Sequence, residues 1–238
     1  PSASPQAELY FGEDNRWPGA PDGFRDAWER YYVAMESLTR RLLRIFARAL
    51  RAKGGDDFFA DKCRRHVSNL VALRYPPLDR SEGAAIEERV RAHTDPTDVT
   101  ILAFERGPEG LQVLPDGADD WLDVPDAPAT LLVNLGDVLR FWTNDAWRST
   151  RHRVTARPRG GRAGVPSGVP SGVDDDGGDR LSLVFFHAPD YDATIDCEDV
   201  GGAVVSAERP RRYPAFRSGE RSHFAQLVRN ERGLPDRQ

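Results

Sequence analysis

Between residues 66 and 187 the chain abandons helical periodicity for a succession of short β-type runs, each closed by turn-forming residues. Strands are expected near 67–75, 89–93, 99–104, 111–114, 121–124, 130–134, 137–142, 151–156 and 181–187. The breaks fall at Pro76-Pro77, Gly107-Pro108, Asp116-Gly117, Pro125 to Pro128 and Asn144-Asp145. Many short strands at close spacing point to a sandwich or jelly roll and against a parallel α/β sheet, so a mainly β fold with flanking helices is expected.

One long helix precedes the strands. Phe24, Trp28, Tyr31, Met35, Leu38, Leu42, Ile45 and Ala49 recur at steps of four and three, with Asp22 as candidate N-cap and Gly54-Gly55 past the end. A helix over 22–53 is therefore expected to lay one apolar stripe against the sheet. Residues 1–20 read as an extended lead-in. Residues 159–179, "RGGRAGVPSGVPSGVDDDGGD", are too poor in apolar groups to bury a core and read as a flexible surface loop. A last short helix is expected from Ser218 to about Asn230.

Composition narrows the partners. Thirty-nine per cent hydrophobic residues can fill a core, and a net charge of −5 leaves no basic groove, so no nucleic acid is expected. No apolar run approaches the roughly 18 residues of a membrane span, so no membrane is expected either. The two cysteines, Cys63 and Cys197, form neither a disulfide framework nor a CxxC site, which suits a reducing, cytoplasmic setting. With no obvious apolar association surface, a monomer acting on a small-molecule substrate is the expectation.

The chemistry-bearing stretch is "RAHTDPTDVT" at 91–100. On a strand, residues i and i+2 face the same way, so His93 and Asp95 can converge on one point. His152, opening the β-like "RHRVTARP", is the best third member. Two imidazoles and one carboxylate form the set that holds non-haem Fe(II) while leaving coordination positions open. Structural zinc would want four closed ligands, usually with cysteine, which this stretch lacks. Arg180 and Ser182 are again i and i+2, and a guanidinium fork beside a hydroxyl could grip the far carboxylate of a diacid such as 2-oxoglutarate. His66, His187 and His223 read as ordinary polar positions, Asn134 and Asp137 as turn-formers, and Trp142, Trp147, Phe104 and Phe185 more as core than as pocket.

"HTD" at 93–95, "GLQVL" at 110–114, "VNLGDVLRFWTND" at 133–145, "WRSTRHRV" at 147–154 and "RLS" at 180–182, in that order, resemble the Fe(II)/2-oxoglutarate-dependent oxygenases of the isopenicillin N synthase-like superfamily. "NRWP" at 15–18 and "LRYPPLD" at 73–79 extend the resemblance toward the N-terminus. It implies a double-stranded β-helix, with packing helices and lead-in over 1–65, the oxygenase jelly roll over 66–200 with 159–179 as an insertion, and a tail over 201–238. It also implies a shortened N-terminal part.

Carried over by position, it implies that His93, Asp95 and His152 hold Fe(II), that Arg180 and Ser182 hold the distal carboxylate of 2-oxoglutarate, and that Tyr75 helps to hold this cosubstrate, with dioxygen as co-reactant. Two departures are visible: Pro96-Thr97 where members often have glycine two residues after the metal aspartate, and Leu73 where many have asparagine. Two other readings stay open. One is an oxidase of the same fold that does not consume 2-oxoglutarate, and the other is a catalytically incomplete jelly-roll binding module.

Overall fold

The computed structural model describes residues 14–76, 88–104, 110–125, 129–155 and 180–221. The expected loop 159–179 and the tail helix beyond residue 221 lie outside them. Helix α1 (Phe24–Ala49) and a single turn α2 (Phe58–Asp61) lead into β1 (Asn69–Tyr75), β2 (Glu88–His93), β3 (Val99–Phe104), β4 (Leu111–Leu114), β5 (Leu122–Asp123) and β6 (Leu132–Leu135). A short helix α3 (Asp137–Trp142) precedes β7 (Arg151–Thr155) and β8 (Arg180–His187). The turn α4 (Cys197–Val200), the ribbon of β9 (Thr194–Ile195) with β10 (Phe216–Arg217), and the turn α5 (Ser218–Arg221) complete the described chain.

Two antiparallel four-stranded sheets carry the architecture, ordered β1-β8-β3-β6 and β2-β7-β4-β5. This is the expected jelly roll. Its first sheet sorts side chains by the two-residue period of a strand. On one face Leu70, Val99, Ile101 and Phe185 join Met35, Leu43, Ala47 and Phe59 of the helical layer in one buried core. On the alternate positions of β8, Arg180, Ser182 and Val184 are buried without joining that core. Fully burying a side chain such as Phe59, Ile101 or Phe185 stabilises by about 1.5–3 kcal/mol.

Three expectations are corrected. The segment 137–142, expected as a strand, is helix α3. Val138, Leu139 and Trp142 are buried on one helical face, and the backbone amides of Asp137 and Val138 donate to the carbonyls of Asp95 and Thr97 at 2.7 and 2.9 Å. The stripe on α1 slips in its second half. Met35, Thr39, Leu43 and Ala47 are buried at constant steps of four, and Ile45 is 60% exposed. Thr39 is tolerated in the stripe because its hydroxyl donates to the Met35 carbonyl at 2.9 Å. Gly23, in the left-handed region at φ 76, caps α1 in place of Asp22, without a side-chain bond.

The expected turn at Asn144-Asp145 forms, with both residues at positive φ. It also anchors the C-terminal segment. Asn144 Nδ2 donates to the carbonyls of Val204 and Pro210, and Asn144 Oδ1 accepts from the Arg212 amide at 2.9 Å.

Candidate metal centre

Strands β2 and β7 pair with His93 directly opposite His152, which sets the two imidazoles 4.3 Å apart between ring centroids. Asp95 follows in the turn between β2 and β3. Its Oδ1 lies 3.5 Å from Nε2 of His93 and 3.5 Å from Nε2 of His152. The turn is held from outside, because the carbonyls of Asp95, Thr97 and Asp98 accept from the amides of Asp137, Val138 and Gly136. A Cβ on Gly136 would sit 2.2 Å from the Thr97 carbonyl oxygen, so only glycine permits that approach. Thr94 adds a hydroxyl bond to Asp137 Oδ2 at 2.9 Å.

The tautomers follow from the neighbours. Nδ1 of His93 lies 2.7 Å from the Arg91 carbonyl and Nδ1 of His152 lies 3.0 Å from the Thr150 carbonyl. A carbonyl can only accept, so each Nδ1 carries a proton and each ring presents Nε2 to Asp95, as a proton donor when the ring is charged and as a lone pair for a metal when it is neutral. The carboxylate is oriented in the same way. Its Oδ2 accepts from the Thr100 hydroxyl at 2.7 Å and from Asn134 Nδ2 at 2.9 Å, leaving Oδ1 to the imidazoles.

Burial alone would push the Asp95 carboxyl up. The His93 hydrogen bond, the His152 charge and the Asn134 and Thr100 donors outweigh burial and hold it at about 2. The hydrogen bond to Asp95 raises His93 above its ordinary value against partial desolvation. Three ligand atoms within 4.8 Å of one another, two imidazole nitrogens and one anionic oxygen, fit a divalent first-row cation with open positions.

A second polar group forms on the first sheet. Tyr75 on β1 pairs with Arg180 on β8, and the Arg180 guanidinium carbon stands 4.0 Å over the Tyr75 ring. Burial raises the Tyr75 hydroxyl pKa, and Arg180 and Arg89 partly offset this. Ser182 is buried, and its hydroxyl has no partner among the described residues. A buried hydroxyl with nothing to bond is costly unless a ligand completes it, and the adjacent guanidinium sets the ligand's sign as negative. Leu73 lies opposite Ser182, so β1 offers an apolar side chain where an amide was the alternative.

Thus the structure brings His93, Asp95 and His152 together and places Arg180, Ser182 and Tyr75 as a separate cluster. Asn134 and Thr100, which orient Asp95, were missed. Asn134 is no turn-former; it sits within β6, directly across from Thr100 on β3. The available signal was an asparagine inside an apolar strand, a place from which asparagine is depleted. Trp142 and Phe185 are core, and Trp147 packs edge-on against Phe46 at 5.2 Å between centroids. His187 is fully buried rather than an ordinary polar position, and His223 lies outside the described residues.

The family model of the 2OG-Fe(II) oxygenase superfamily matches residues 67–189, which include all six of these site residues. The chain belongs to this superfamily. Among the relatives of this oxygenase chain, the proline hydroxylase buaE of Petromyces alliaceus is 34% identical over 199 residues, covering 79% of this chain and 54% of the relative. Validamycin A dioxygenase of Streptomyces hygroscopicus subsp. limoneus is 34% identical over 182 residues, covering 76% and 45%. A full-length Neurospora crassa protein, crystallised in complex with alpha-KG and thymine, superposes with a TM-score of 0.73 at 25% identity, covering 93% of this chain and 62% of that one. The chain spans about half the length of the curated relatives it matches.

Proposed function

We propose that this chain is the jelly-roll part of a non-haem iron oxygenase that couples oxidative decarboxylation of 2-oxoglutarate to oxidation of a small organic substrate. The observation that carries this is the convergence of His93 Nε2, Asp95 Oδ1 and His152 Nε2, each already oriented by a bond on its far side. His93, Asp95 and His152 bind Fe(II). Arg180 and Ser182 bind the distal carboxylate of 2-oxoglutarate, and Tyr75 supports the Arg180 guanidinium through its ring. With dioxygen, the bound metal and cosubstrate supply the oxidising chemistry, hydroxylation, desaturation or ring closure.

The chain's own residues orient and shield. Asp95 stays ionised because the His93 hydrogen bond, the His152 charge and the Asn134 and Thr100 donors together outweigh its burial, so the site keeps one anionic ligand without a proton to displace. The Nδ1 bonds to Arg91 and Thr150 keep both imidazoles from rotating. The buried Arg180 excludes water from the carboxylate it grips, and a fork matches that carboxylate where a point charge would not. The proposed unit runs over 66–200, with α1 and α2 as its packing layer and no partner beyond the small-molecule substrate. Among the described residues no helix is long and apolar enough to cross a membrane, and cytoplasmic placement belongs to the same proposal.

Anaerobic titration with ferrous iron and 2-oxoglutarate should produce a visible metal-to-ligand charge-transfer band in this chain and none in Asp95→Ala. Oxygen uptake should release succinate in step. Iron binding without dependence on 2-oxoglutarate would instead favour the oxidase reading, for which Leu73 opposite Ser182 is the supporting observation.

A further inference from the structure

A second three-ligand cluster stands on the helical side of the first sheet. Cys63, just after α2, Asp98, at the entry to β3, and His187, the last residue of β8, are 4%, 0% and 2% exposed. Their ligand atoms all lie within 4.8 Å of one another. Asp98 is only three residues from Asp95, yet it contacts the helical layer, because His187 shares the face of β8 that carries Phe185.

We propose that Cys63, Asp98 and His187 form a second site for a divalent cation of the zinc type, separate from the iron site. The donor set supports this: one thiol, one imidazole and one carboxylate are borderline ligands that suit Zn(II) and its analogue Co(II). The iron site carries no sulfur, so the two sites sort metals by softness.

Space and charge support it further. Cys63, His187 and His66 line one small cavity together with Glu36 and Arg40, and its volume of about 10 Å³ is room for about one water as fourth ligand. His66 is positioned beside it, with its ring 5.1 Å from His187, Nδ1 bonded to Ser68 Oγ at 2.8 Å and Nε2 3.5 Å from Glu36 Oε1. A dication, the carboxylates of Asp98 and Glu36, the Cys63 thiolate and the Arg40 guanidinium sum to zero charge. The metal-free cluster holds its place with protons: His187 Nδ1 lies 2.7 Å from Asp98 Oδ1, and the Cys63 sulfur lies 3.8 Å from Asp98 Oδ2.

Binding would exchange those protons for metal. The Cys63 thiol releases one proton to solvent, His187 moves its remaining proton from Nδ1 to Nε2, and Asp98 turns from hydrogen-bond acceptor to ligand. The His187–Asp98 pair must open by a few tenths of an ångström, since ligands on one metal stand farther apart than hydrogen-bond partners. Burial and the Asp98 charge raise the Cys63 thiol well above its ordinary value, so the metal must supply the driving force for deprotonation. The return is a staple joining the α2–β1 connection, the turn that carries Asp95, and the end of β8.

Cobalt chloride titrated into the metal-free chain tests this, because only a site with cysteine gives a near-ultraviolet thiolate-to-cobalt band. The expected result is two equivalents bound, one of them with the band. Asp95→Ala should lose one equivalent and keep the band, and Cys63→Ser should lose one equivalent and the band together. No band in cobalt excess, or a band that survives in Cys63→Ser, overturns the proposal. Should Cys63→Ser fail to fold, wild-type crystals soaked in zinc chloride decide. An anomalous peak bonded to Cys63, Asp98 and His187 supports the site, and an intact His187–Asp98 hydrogen bond without a peak overturns it.

Discussion

Removing the two donors behind Asp95 should weaken metal binding without touching a ligand. Thr100→Val is nearly isosteric and deletes the 2.7 Å bond to Asp95 Oδ2; Asn134→Ala deletes the 2.9 Å bond. A hydrogen bond to a charged group contributes about 1.5–3 kcal/mol, and 1.4 kcal/mol is tenfold in affinity. Each single variant should therefore lose about 10- to 100-fold in Fe(II) affinity, as outer-shell changes generally do. Protonation does not account for the loss, since Asp95 starts at about 2 and remains ionised at neutral pH after losing one donor.

The pair should couple. With both donors gone, a buried carboxylate oxygen has no partner, so the double variant should lose more than the product of the single losses. Asn134→Ala also removes an amide oxygen that is buried without a partner among the described residues, which softens its effect on folding. Anaerobic competition against a chromophoric chelator measures the affinity, with thermal unfolding alongside. Fe(II) affinity within about twofold of wild type in a folded Thr100→Val, where the tenfold expected from losing one such bond fails to appear, would refute the orienting role.

Arg180→Lys keeps the charge but loses the fork, and Arg180→Gln loses both. 2-Oxoglutarate affinity should fall about tenfold or more in the first and further in the second, read from the charge-transfer titration. Gly136→Ala puts a methyl 2.2 Å from the Thr97 carbonyl and should displace the Asp95 turn, lowering both melting temperature and metal affinity. Phe59→Ala, emptying a fully buried ring site, should cost about 3–5 kcal/mol in chemical denaturation. Asp145 is held at about 2 because hydrogen bonds from Arg140, Arg212 and Tyr213 outweigh its burial. A depressed acid stabilises the fold above its ordinary value of 3.8 and loses that contribution as pH falls toward 2. The stability gap between wild type and Asp145→Asn should accordingly be full at neutral pH and close over that window.

The parts of the fold legible in sequence were those fixed by local pattern. The bounds expected for β3 and β4, 99–104 and 111–114, are those observed, because period-two alternation and turn residues define them on the spot. His93 and Asp95 were legible as neighbours two apart, although the expected ground was wrong: β2 ends at His93, and Asp95 reaches the same point from the turn beyond the strand. Helix α3 was not. Its fate turns on amides of Asp137 and Val138 reaching a turn some forty positions earlier, and a local reading sees only apolar residues. Asn134 and Thr100 escaped because their meeting depends on cross-strand register, and Cys63, Asp98 and His187 because only the helix-on-sheet packing joins positions so far apart in the chain.

The most direct test of the central claim is the location of iron in crystals grown anaerobically with Fe(II), read from anomalous scattering at the iron edge. One strong peak is expected within bonding distance of His93 Nε2, Asp95 Oδ1 and His152 Nε2. A peak elsewhere, or no peak with these three side chains in place, would contradict it.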